Sequence, residues 1–219
     1  MIQFDFSAVL AQWPLLLRGV AWTVGLTAMS AVLGVAVGVA CAWVRAYGRG
    51  ALYAAVGVYV ELIRNTPFIV QLFFVYFGLP AAGVRLSPEA ASVIAMVINL
   101  SAYATEIIRA GIAATPRGQI EAAHSLALNP AQTFVRVVLP PALRKVWPAL
   151  VSQIIIVMLG SAVCGQISTP ELSYAANLIQ SRNFRAFEAF IIATALYLLL
   201  AAGTRRLLNW LGPRFVWGR

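Results

Sequence analysis

Few residues in this 219-residue chain could do chemistry, because only 11% of it is charged and 61% is apolar. Three groups stand out. Glu61, Arg64, Thr66, Pro67 and Gln71 interrupt one apolar run. Asn99, Tyr103, Glu106 and Arg109 recur at three- and four-residue intervals in another. Glu121, Ala122 and Ala123 open a more polar stretch that closes on Leu139 and Pro140. The chemistry these types offer is hydrogen bonding and ion pairing, not bond making. His124 is the only histidine and has no Cys, Asp or second His at ligand spacing, so no metal centre is expected. No catalytic residue and no cofactor of the chain's own is expected either, and there is no GxxxxGK[ST] phosphate loop.

Each polar group has a bland use and a functional one. Asn99, Tyr103 and Glu106 stand at i, i+4 and i+7, which puts them on one helical face directed into a bundle. An ionisable group in hydrocarbon is costly and marks either a pathway or a pair. Arg109, three residues beyond Glu106, supplies the pair. Glu61 and Arg64 have the same spacing, and Arg64 precedes a Thr66-Pro67 break whose freed carbonyls could accept its hydrogen bonds, so both are expected to brace the break. Thr66 and Gln71 are expected to line a solute path, since an opened helix exposes backbone beside them. Cys41 and Cys164 each lie within an apolar block and are expected to pack as small apolar residues.

The elements that hold these groups are membrane spans. An ordinary soluble domain is about 25% charged, and the mean hydropathy here is +0.84. Disorder needs low hydrophobicity and a disulfide scaffold needs dense cysteine, so both are excluded. The net charge of +9 comes from residues scattered between apolar blocks, which argues against a nucleic-acid partner and for lipid. The blocks run about 16 to 26 residues without charge, roughly what a helix needs to cross hydrocarbon. The expected fold is an all-α integral membrane bundle of five spans. The first covers 19–44, rich in Gly and Ala for close helix approach. The second, 51–79, bends at Pro67. The third opens with Ser87-Pro88-Glu89 as cap, first-turn proline and dipole-matched acid, and runs to about residue 113. The fourth and fifth cover 146–170 and 189–204.

Residues 1–17 are expected to form a retained extracytoplasmic or interfacial segment, since no basic residue precedes their apolar stretch. Residues 18–212 form the transmembrane domain and 213–219 a cytoplasmic tail. With the N-terminus outside, the cytoplasm receives Arg45, Arg49, Arg109, Arg117, Arg136, Arg144, Lys145, Arg205, Arg206, Arg214 and Arg219. The outside receives only Arg18, Arg85, Arg182 and Arg185. The positive-inside rule selects that orientation. Trp13, Trp147, Trp210 and Trp217 fall near span ends and are expected to form an interfacial belt.

Connections are expected to be short except for 114–144, and a loop of that length in a compact domain is usually functional. A short helix begins near Glu121 and stops at Asn129-Pro130. There Asn129 and Gln132 have capping-box spacing for a second helix, which Leu139-Pro140-Pro141 ends. Such an amphipathic element suits a partner's groove.

Glu121-Ala122-Ala123, Ala127 and Val138-Leu139-Pro140 resemble the EAA motif of bacterial ABC importer permeases, with Ala127 where the family has Gly. Glycine tolerates a positive φ that alanine resists, so a different turn is expected. Arg64-Asn65-Thr66-Pro67, Gln71 and Tyr76-Phe77-Gly78-Leu79-Pro80, together with 102–112 and 118–121, resemble the polar amino acid permeases, and the likeness spans about 17–212. The resemblance implies a type I ABC importer permease fold and transport by alternating access in a bacterial inner membrane. It implies a second permease subunit, an extracytoplasmic amino acid-binding protein, and an ABC ATPase dimer that carries ATP and Mg. Glu121, Ala122, Ala123, Ala127, Leu139 and Pro140 would couple to that ATPase. Thr66, Gln71, Asn99, Tyr103, Glu106, Gly160 and Ser161 would belong to the substrate path. Related permeases often have Lys-Asp-Thr-Ser where this chain has Leu159-Gly160-Ser161-Ala162, so this subunit is expected to be the weaker or non-binding half of a heteromeric pair. The alternative, an ATPase-independent channel or secondary transporter, would call for paired repeats across two halves, which five spans do not display.

Overall fold

The computed structural model describes residues 4–216; Trp217 and Arg219 lie outside the described residues. After a single helical turn at Ser7–Leu10, helix α1 runs Trp13–Tyr47. It starts earlier than the sequence suggests because Pro14 suits a first helical turn, where its missing N–H costs nothing. Helices α2, Gly50–Arg64, and α3, Phe68–Phe73, are the two arms of the second span. They meet at 112°, far more than a kink. A π turn at Phe74–Gly78 and a 3-10 turn at Leu79–Ala82 extend α3. Helix α4, Pro88–Ala113, begins as expected, with the Ser87 hydroxyl accepting from the Ala90 N–H at 3.2 Å.

Helix α5, Arg117–Ser125, lies in the long loop. The Asn129–Gln132 capping box, with both reciprocal bonds made, opens α6, Pro130–Ile167. This helix does not stop at Leu139-Pro140-Pro141. A π turn at Phe134–Val138 lies just ahead of the prolines, and its wider ladder accommodates two residues with no N–H to donate. The second loop helix and the fourth span are therefore one rod. Helix α7, Leu172–Asn183, fills a connection expected to be short, and α8, Ala186–Leu211, is the last span.

Among the described residues, four helices are long and apolar enough to cross a membrane, and the bent α2–α3 pair makes five if it counts as one span. Helices α1 and α4 share the most extensive packing. The reason is steric: a Cβ on Gly38 would stand 2.7 Å from the Ala104 Cβ, and one on Gly34 would stand 3.0 Å from Leu100. These missing side chains let the two backbones close up. The core continues through Leu26, Leu72, Met96, Leu100, Ile154 and Cys164. Trp13 and Trp210 are exposed. Trp147 is instead half-buried between α6 and α8 and donates to the Leu208 carbonyl at 3.2 Å.

Candidate functional site

The break in the second span is where the polar groups gather. Pro67 is extended and caps α3, so the carbonyls before it have no helical donor. Gln71 supplies one. Its Nε2 donates to the Ile63 carbonyl at 2.7 Å, the Thr66 carbonyl at 3.0 Å and the Thr66 Oγ1 at 2.9 Å. Thr66 Oγ1 donates in turn to the Leu62 carbonyl at 2.9 Å. Glu61 and Arg64 are exposed and form no ion pair with each other among the described residues. The Arg64 guanidinium lies 5.5 Å over the Tyr103 ring. The brace is thus a neutral amide in place of the expected arginine, which avoids burying a charge to reach the carbonyls.

The break sets a relay of amide orientations. Because the NH2 group of Gln71 is turned to the break, its Oε1 faces α4, where Asn99 Nδ2 donates to it at 3.0 Å. Beside this relay lies a cavity of about 440 Å³. Thr66, Asn99 and Tyr103 line one side, and Gln153 and Gly160 of α6 line the other. Pro67, Phe68, Ile156 and Val157 complete its apolar wall. Four of the expected path residues, Thr66, Asn99, Tyr103 and Gly160, therefore come together. The other three do not. Gln71 is buried behind the lining, Ser161 is buried and donates to the Met158 carbonyl at 2.6 Å, and Glu106 is engaged by Arg109, Nη2 to Oε2 at 2.7 Å. Gln153 was missed, although an amide at i with Val157 at i+4 and Gly160 at i+7 shares one helical face.

The long loop has its own geometry. Helix α5 ends in a Schellman motif: the Ala127 N–H donates to the His124 carbonyl at 2.9 Å and the Leu128 N–H to the Ala123 carbonyl at 3.1 Å. Ala127 occupies the left-handed position, φ +55°. The turn keeps the conformation that glycine favours, contrary to the expected difference. Glu121, Ala122, His124 and Leu126 are exposed, Leu126 by 76%, while Ala123 is buried. Beneath them the loop is fixed to the bundle. Phe134 and Val138 are buried against Ala42, Ile108 and Ile112 at the ends of α1 and α4. The Phe134 ring stands 6.2 Å from Trp43 and 6.0 Å from Tyr47. Leu139 packs against this cluster, and Pro140 is half-buried at the start of the straight part of α6.

At the other end of the bundle, Glu171 caps α7. It is fully buried and accepts from the Ser173 and Tyr174 N–H groups at 2.8 and 2.7 Å and from the Tyr197 hydroxyl at 2.6 Å. Burial pushes its carboxyl up, and these three donors hold it back. The N-terminal segment is pinned nearby by the Asp5 N–H, which donates to Glu188 at 3.1 Å. Hydrogen bonds from Ser7 hold the Asp5 carboxyl below its usual value.

A helical membrane bundle with one broken span, a cavity at the break with a few polar groups in an apolar wall, and an amphipathic loop bolted to its span ends is the build of a transport protein. The comparisons name the family. Residues 13–217 match the model described as "binding-protein-dependent transport system inner membrane component", and the chain belongs to that family. It is 33% identical over 201 residues to the glutamine transport system permease protein of Escherichia coli (strain K12), covering 91% of this chain and 92% of that one. It is 37% identical over 171 residues to the L-cystine transport system permease protein of Bacillus subtilis (strain 168), covering 78% and 73%. A crystal structure of an amino acid ABC transporter with histidines superposes with a TM-score of 0.85 at 34% identity, covering 96% of this chain and 99% of that one. A bacterial alginate importer shares the fold at a TM-score of 0.72 and 16% identity, covering 98% and 85%.

Proposed function

We propose that this chain is the permease subunit of an ATP-driven importer that moves polar amino acids across a bacterial inner membrane by alternating access. The reading is supported by the family membership, by relatives named for glutamine and L-cystine transport, and by the cavity beside the broken span. It pairs with itself or a similar permease, takes cargo from an extracytoplasmic binding protein, and is driven by a separate ABC ATPase dimer that holds ATP and Mg. Its N-terminus lies outside and its C-terminus in the cytoplasm.

One observation carries the coupling. The loop is exposed at Glu121, Ala122 and Leu126 yet packed through Phe134 and Val138 onto α1 and α4. It then runs without a stop into the helix that bears Gln153 and Gly160. A push on α5 is therefore delivered along a continuous rod to the cavity wall. Coupling further requires that the two end states bind cargo with different affinity. The missing Lys-Asp pair at Leu159-Gly160 makes this the weaker half of the substrate site, with the charged contacts supplied by the second permease. In the test, Glu121→Lys leaves the protein in the membrane and abolishes ATP hydrolysis stimulated by the binding protein. Undiminished stimulation would refute the coupling role.

A further inference from the structure

Gln153 is only 9% exposed, and it lines the cavity beside the break. Among the described residues its carboxamide has no hydrogen-bond partner, in contrast to Thr66, Gln71 and Asn99 around it. The Gln153 amide is on the cavity lining, so its donors and its acceptor remain available to whatever occupies that space. A cavity that holds such a group is therefore suited to something that supplies the missing bonds. Asn99 adds a second unmet capacity. Its Nδ2 is committed to Gln71, which leaves its Oδ1 as an acceptor without a protein partner among the described residues. Both groups are neutral. Among the described residues no Asp, Glu, Lys or Arg lines the cavity, and Gly160 contributes no side chain to it.

We infer that Gln153 and Asn99 form a neutral clamp that contacts the cargo's side chain and selects amino acids whose side chains are polar but uncharged. The inference rests on the permease function proposed above and names its substrate class. A charged side chain entering this half of the site would lose water and meet no counter-charge in the lining, Arg64 lying over the Tyr103 ring and outside that lining. An amide or hydroxyl would pair with the two amides, each of which is held in position by α6 or by the Gln71 relay. The cargo's ammonium and carboxylate would then belong to the second permease.

The test uses the whole complex, purified in detergent through a tag on this chain and titrated with radiolabelled glutamine, arginine and glutamate without the binding protein. The expected result is saturable binding of glutamine at least about tenfold tighter than of arginine or glutamate. Gln153→Leu weakens glutamine binding about tenfold, the scale of one lost hydrogen bond to an otherwise satisfied site. Gly160→Asp, whose Cβ meets nothing within 4 Å, gains arginine binding, a change that misfolding could not produce. Equal binding of all three amino acids, or an unaltered Gln153→Leu, overturns the inference. So does a wild-type complex that binds none of them yet still imports them into vesicles with its binding protein. A wild-type complex that neither binds nor imports any amino acid overturns the proposed function as well.

Discussion

Ala127 holds a left-handed backbone position at φ +55°, which costs an alanine about 1 kcal/mol more than a glycine. Ala127→Gly should therefore tighten the turn after α5 by about that amount, read as slower amide exchange over 117–128; faster exchange would contradict the Schellman assignment. Gln71→Leu has the opposite sign. It strands the carbonyls of Ile63 and Thr66 and the amide of Asn99, and should cost about 2–5 kcal/mol, lowering the thermal midpoint of the complex. The spacing of Asn99 and Tyr103 was legible in the sequence because helical period alone fixes which residues share a face. The fate of Gln71 was not, because its partners are carbonyls exposed only after the chain breaks. Gln153 and Glu171 stayed hidden for a related reason. Their meaning comes from a cavity and from a tyrosine 26 residues away, neither of which a local window contains.

Helix starts were legible where a cap announces them, at Ser87-Pro88 and at Asn129 with Gln132. The Pro140-Pro141 pair misled because a π turn upstream absorbs what would otherwise end a helix. Helix α7 was invisible to hydropathy; it is held by its Glu171 cap and by Leu172, Ala176 and Ile179 packed against Leu16. Glu171→Ala should remove the cap and orphan the Tyr197 hydroxyl, costing about 2–4 kcal/mol, whereas Tyr197→Phe should cost only about 1. Equal losses would mean the cap contributes nothing. The α1–α4 crossing makes a sharper prediction. Gly38→Leu would drive a side chain into Ala104, whose Cβ stands 2.7 Å from where a Cβ on residue 38 would lie, while a Cβ on residue 25 meets nothing within 4 Å. Gly38→Leu should abolish recovery of the folded complex and Gly25→Leu should leave it near wild type. Similar yields would show that the crossing does not depend on close approach.

For the molecule as a whole, chemistry is divided between two ends and a middle. One end ties Asp5 to Glu188 and caps α7 with Glu171. The other packs Phe134 and Val138 under the exposed Glu121 surface. The cavity at the broken span lies on the helices that join them. So apolar a chain keeps its few polar residues in clusters, where they pair with one another, as Glu171 does with Tyr197 and Gln71 with Asn99. The central claim is that movement at the cavity is powered by a separate ATPase through the loop. The direct measurement is uptake of radiolabelled glutamine into proteoliposomes that hold this chain and its partner permease, with binding protein outside and ATP inside, prepared with and without the ATPase subunits. The account predicts accumulation above the external concentration only when the ATPase is present. Accumulation of the same extent without it would contradict the account.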